Sequence, residues 1–126
     1  MKISRARFER LAEEALGRIP RRLRELIVDL EISVKALPGG EAGRWRGSRM
    51  LLGLYHGLRR SDMLSPYSGP HEPARIIIYQ ANIQSLCHDE AELVRQIRIT
   101  LRHELAHHFG FSDEELREKW PEGASD

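Results

Sequence analysis

Hydrophobic positions along the chain change period several times, and each change predicts an element. Phe8, Leu11, Ala12, Ala15, Leu16 and Ile19 recur at i, i+3, i+4, i+7, i+8 and i+11, the spacing of an amphipathic helix. Gly17 weakens the end of that helix and Pro20 stops it, with a short second turn through Leu26. From Val28 to Lys35 the period becomes two. Val28, Leu30, Ile32 and Val34 share one face, and Asp29, Glu31, Ser33 and Lys35 the other, which predicts a half-buried strand. Pro38-Gly39-Gly40 breaks it, and residues 38–49 read as a Gly- and Arg-rich surface loop containing Trp45. Met50 to Tyr55 predicts a short second strand ending at His56-Gly57. Residues 59–73, with Pro66, Gly69, Pro70 and Pro73, read as a long irregular loop. Ala74 to Gln80 predicts a third strand, whose continuous Ile76-Ile77-Ile78-Tyr79 run suggests burial on both faces, or one face in the core and one against a ligand.

Asn82 to Cys87 reads as a short turn. Asp89 with Glu92 then resembles a capping box, and the helix it starts is expected to reach Phe109. At about 100° per residue, Leu93, Val94, Ile97, Leu101 and Leu105 form one apolar stripe. Arg95, Arg98 and Arg102 fall on a second face, expected in water, and Gln96, His103 and His107 on a third. His108 falls inside the apolar stripe and is expected to be buried or capping. Gly110 suits a left-handed helix end. Ser112 with Glu115 predicts a capped final helix, stapled by Phe111 and Leu116, and the segment from Pro121 to Asp126 is expected to fray.

Composition narrows the class without choosing within it. At 126 residues, 40% hydrophobic and 31% charged, the chain is expected to form one globular domain over residues 1–126. No apolar run approaches the ~20 residues of a membrane span, and no signal-type core opens the chain. Cys87 is the single cysteine, so no internal disulfide is possible and a cytoplasmic location is expected. Residues 1–60 carry fourteen basic against seven acidic side chains, net +7, and residues 61–126 six against twelve, net −6. The basic half reads as the solvated or paired faces of amphipathic elements, so nucleic acid is not expected as a partner. The sequence contains no Gly-rich phosphate loop of the Walker or dinucleotide type.

The chemistry concentrates in His103-Glu104-Leu105-Ala106-His107-His108-Phe109-Gly110-Phe111-Ser112-Asp113, which reads H-E-x-x-H-x-x-G-x-x-D. Histidines four apart on a helix lie one turn above each other, a separation that suits two imidazoles on one zinc ion. Glu104 sits beside that position and not on it, where a base for a metal-activated water would stand. After the turn at Gly110, Asp113 can return as a third ligand. With Ser112 already capping, Asp113 occupies the first helical position, where the helix dipole keeps it ionised. Three protein ligands and an open fourth position describe a catalytic site.

Residues 103–113 resemble the Asp-zincin motif. In length and element order the chain is similar to the small bacterial zincin-like metallopeptidases, or mini-zincins. Leu51-Leu52-Gly53-Leu54-Tyr55-His56-Gly57 and Ile76-Ile77-Ile78-Tyr79 are softer matches to that family. The resemblance implies an α+β fold: a small twisted mixed sheet of about three to four strands on two main helices, one bearing the HExxH motif, with a short C-terminal helix. It implies one zinc per chain on His103, His107 and Asp113, with Glu104 as the catalytic carboxylate. Larger relatives carry a Met-turn beneath the zinc; no matching segment follows Asp113, and Trp120 is a candidate for that support.

The expected activity is therefore zinc-dependent peptide-bond hydrolysis with Glu104 as general base. Peptides or unfolded proteins are the expected substrates, and a homodimer is possible. Tyr55, Ile78 and Tyr79 are candidate substrate contacts, and Tyr55, His56 and Tyr79 candidate oxyanion donors. The strand over 75–80 is expected to run along the cleft and offer a free edge to an extended peptide. The alternatives are a catalytically weak or inactive metal-binding or protein-interaction module on the same scaffold, and a regulatory domain touching nucleic acid through the basic half.

Overall fold

A computed structural model describes residues 1–67 and 69–120, apart from the side chain of Asp113. Helix α1 spans Arg5–Gly17, capped by the Ser4 hydroxyl, which accepts from the Arg7 N–H. Phe8, Leu11, Ala12 and Ala15 bury its apolar stripe. Pro20 then opens a single turn, α2 (Arg21–Arg24). Strand β1 (Leu30–Lys35) follows, then a 3-10 segment (Gly40–Trp45), strand β2 (Gly53–His56) and one helical turn, α3 (Arg60–Met63). Strand β3 (Ala74–Tyr79) runs directly into α4 (Gln80–Ser85), where the sequence suggested only a turn. The long helix α5 spans Glu90–Phe109, and α6 spans Asp113–Lys119.

The fold is α+β, a three-stranded mixed sheet under helices. Strand order is β1-β3-β2, with β1 parallel and β2 antiparallel to β3. This corrects one expectation. β3 is the central strand and has no free edge; the exposed edges belong to β1 and β2. Its apolar run fits the central place, since Ile76, Ile77, Ile78 and Tyr79 are all buried. Ile76 and Ile78 join the core beneath α1 and α5, built from Phe8, Leu11, Leu93, Ile97, Leu101 and Leu105. The register sets Gly53 opposite Ile78 and Tyr55 opposite Ile76, so both face the same helical layer. That alternation brings β2 against α5, where the motif lies.

Two polar side chains hold the segment that leads into β2. Asn82, almost fully buried, donates through Nδ2 to the carbonyls of Ser48 (2.9 Å) and Leu51 (2.7 Å). Glu41 accepts from Lys35 Nζ, from the Gly39 N–H and from the Tyr79 hydroxyl, each at 2.8 Å. These bonds, led by Lys35 and acting against the opposing cost of burial, hold its pKa down at about 2. Because the folded value lies below the ordinary 4.5, the stability Glu41 contributes is complete above pH 4.5 and is lost as pH falls toward 2. Glu41→Gln is therefore expected to cost about 1–2 kcal/mol at pH 7. In paired urea titrations the gap between the two proteins should narrow below pH 4.5 and close as pH approaches 2; a gap that stays constant would mean the carboxylate charge is not what holds this loop.

The expectation that Arg95, Arg98 and Arg102 all face water also needs correcting. Arg102 is buried, and its Nη1 donates to the Trp120 carbonyl at 3.3 Å; the Arg98 guanidinium lies 5.3 Å from the Trp120 ring centre. Trp120 itself is fully buried, so α6 folds back over what a helix wheel shows as a polar face. No helix among the described residues is long and apolar enough to cross a membrane.

Candidate active site

The motif occupies the last two turns of α5. Asp89 caps the start of the helix by accepting from the Glu92 N–H at 2.8 Å. At the other end Gly110 adopts φ 77°, ψ 21°, the left-handed cap that a residue with a Cβ enters at a cost. Ser112 then forms a reciprocal capping box with Glu115, which starts α6 at Asp113. The backbone therefore reverses between His107 and Asp113 in three residues of loop, Gly110 to Ser112.

His103 and His107 project from one face of α5, both exposed, with ring centres 5.5 Å apart and planes at 81°. Glu104 is buried, 6% exposed, and turns toward β2. There Gly53 makes the approach possible. A Cβ at Gly53 would stand 2.8 Å from Thr100 Cγ2, 3.2 Å from Glu104 Cγ and 3.4 Å from Glu104 Oε2. The glycine lets the edge strand lie against the motif-bearing turn of the helix. A Gly inside the apolar run Leu51-Leu52-Gly53-Leu54 is the signal that could have found it.

The donor set fits zinc in kind. Two accessible imidazoles lie one turn apart on α5, and the buried Glu104 carboxylate on the same stretch of helix packs against Gly53. Asp113, the expected third ligand, has its backbone in place as the first residue of α6; its side chain lies outside the described residues. Among the described residues, no group of three or more His, Cys, Asp or Glu side chains converges on a metal position.

Behind the histidines lies a hydrogen-bonded chain with one direction. The Val28 N–H donates to His108 Nε2 at 3.1 Å, and a backbone N–H can only donate. The Tyr55 hydroxyl donates to the Leu58 carbonyl. The remaining bond, 2.9 Å between His108 Nδ1 and the Tyr55 oxygen, must then run from Nδ1–H to that oxygen. His108 is thus neutral and protonated on Nδ1. Burial first and the Arg60 charge second hold its pKa down, consistent with that form. Burial pushes the Tyr55 phenol up to about 12, so it keeps its proton. The Tyr55 ring lies nearly parallel to His107, at 14° and 6.3 Å between centres. His108 is therefore the buried histidine its helix position suggested, but its partner Val28, eighty residues away, was not legible there.

The other predicted contacts fall further from open space. Ile78 and Tyr79 are fully buried, and the Tyr79 hydroxyl is committed to Glu41. Its pKa is raised by burial first, then by the Glu41 hydrogen bond and charge, and by the Glu104 charge. Neither Tyr55 nor Tyr79 has a hydroxyl hydrogen left for an oxyanion. His56, the third such candidate, is exposed at the end of β2. Trp120 is fully buried, with its carbonyl accepting from Arg102 and its ring beside Arg98.

An α+β fold with an H-E-x-x-H helix against a mixed sheet defines a metallopeptidase-type scaffold. Residues 27–121 match the zincin-like metallopeptidase family, and the chain belongs to it. No curated protein matches the chain.

Proposed function

We propose that residues 1–126 act as one zinc-dependent peptidase domain, hydrolysing peptide bonds with Glu104 as general base. The observation that carries this reading is the buried Glu104 carboxylate, packed against the edge strand at Gly53 in the same stretch of helix as two exposed imidazoles. His103, His107 and Asp113 would hold the zinc. When bound, zinc supplies Lewis acidity toward the scissile carbonyl and brings the pKa of water toward 7.

The chain's own residues do the rest. Glu104 takes the proton of the attacking water and hands it to the leaving amine. Tyr55, fixed by His108 and Leu58, keeps the His107 ring in one orientation. Substrate binding moves from β3, the strand first expected to take it, to β2. The Leu52 carbonyl accepts from the Tyr79 N–H, so Leu52, Leu54 and His56 turn their backbone groups to β3. Gly53 and Tyr55 turn theirs to the open edge, where an extended peptide can pair.

Elemental analysis after zinc loading and dialysis tests the ligand set. Wild type should carry about one zinc per chain, and Asp113→Ala should lose most of it. Equal zinc in both proteins would remove Asp113 from the site; none in wild type would remove the peptidase reading.

A further inference from the structure

The edge strand beside the motif is set between two segments of one character. From Ala42 to Ser61 the chain carries Arg44, Arg46, Arg49, Arg59 and Arg60 and no Asp or Glu. The first four are exposed, and among the described residues none of those four makes an ion pair. Apolar exposure gathers in the neighbouring stretch of sequence. Of the seven large hydrophobic residues exposed among the described residues, Trp45, Met50, Leu58, Leu64 and Tyr67 flank β2; only Met1 and Leu86 lie elsewhere.

Where the first segment enters β2 lies a cavity of about 290 Å³. Met50, Leu51 and Leu52 wall it on one side, and Gln96, Ile99 and Thr100 of α5 on the other. His103 and Glu104 also line it, so the cavity reaches the motif side chains. Glu104 is the single charged residue in its lining apart from the titratable His103. Asn82 fixes the wall by holding the carbonyls of Ser48 and Leu51.

We propose that this cleft selects an extended polypeptide segment with an apolar side chain at its centre and acidic residues on its flanks. The inference rests on reading the site as a substrate cleft. The open edge of β2 demands an extended backbone. The cavity rewards a side chain that gains by leaving water, and it would strand a charged one beside Glu104. The arginines attract carboxylates on either side over a range of about 8 Å at physiological salt. Nucleic acid fits the flanks but not the centre, where its phosphates would meet an apolar wall and a carboxylate.

The test uses the full-length Glu104→Gln chain, which removes turnover, and fluorescence anisotropy with labelled nine-residue peptides. Three peptides suffice: central Leu with Glu flanks, central Leu with Lys flanks, and central Asp with Glu flanks. At low salt the first should bind about tenfold more tightly than the second, with the difference shrinking as salt rises. It should also bind about tenfold or more tightly than the third. Adding Arg46→Glu and Arg49→Glu, in a chain whose melting temperature is unchanged, should erase or invert the flank preference. Binding indifferent to the flanks, no binding of any peptide, or displacement of the peptide by a single-stranded oligonucleotide would overturn the proposal. The two readings fail separately. If wild type binds the first peptide in this pattern and never cleaves it, hydrolysis is lost and the cleft's selectivity stands. Cleavage without flank dependence removes only the selectivity.

Discussion

Glu104→Gln is expected to lower peptide hydrolysis by about 10³-fold while leaving the zinc content of the chain unchanged. The substitution keeps the size and shape of the side chain, so the packing of α5 against Gly53 survives. What it removes is the capacity to accept a proton. A general base contributes about 10²–10⁴-fold when it is placed within reach of the proton it takes, and Glu104 is the buried carboxylate of the helical stretch that carries both imidazoles. The paired readout separates roles: kcat/KM on a cleaved peptide reports the base, and elemental zinc reports the ligands. Zinc lost together with activity would make Glu104 a ligand or a structural group. Activity retained would mean that another residue, or no residue, takes the proton.

The second large effect is expected from a residue with no functional group. Gly53→Ala places a methyl group 2.8 Å from Thr100 Cγ2 and 3.2 Å from Glu104 Cγ, closer than carbon atoms pack. The backbone at Gly53 is not in the left-handed region, so the whole effect is steric. Relieving it moves β2 away from α5 or rotates Glu104. The first costs about 1–3 kcal/mol, read as a melting temperature lower by about 5–10 °C. The second displaces the base by about an ångström, for which about a hundredfold loss in kcat is the expected scale. Combining Gly53→Ala with Thr100→Ser, which removes the methyl group met first, should restore part of both losses. A Gly53→Ala chain that melts and turns over like wild type would show that the strand and helix are not in the close contact described.

The sequence carried those parts of this arrangement that depend on neighbours along the chain. The limits of α5 follow from Asp89 and Gly110, and the start of α6 from Ser112 and Glu115, because caps are satisfied within four residues. The separation of His103 and His107 from the apolar stripe follows from helical geometry alone. What the sequence did not carry depends on partners far along it. The order β1-β3-β2 puts the last strand in the middle, and the apolar run from Ile76 to Tyr79 tells of covered faces and not of which edges are paired. Arg102 lies on a face that a helix wheel assigns to water, until α6 returns and offers it the Trp120 carbonyl. His108 needed Val28, and Glu104 needed the absence of a side chain at Gly53, contacts across eighty and fifty-one positions.

The two motif histidines stand on the exposed face of α5, while the core beneath it closes without them. Chelation should therefore strip the chain of its chemistry and leave it folded, unlike small zinc modules that collapse when the metal leaves. The scaffold, with its outer strand β2 and the arginine-rich segments beside it, stands whether or not a metal is bound.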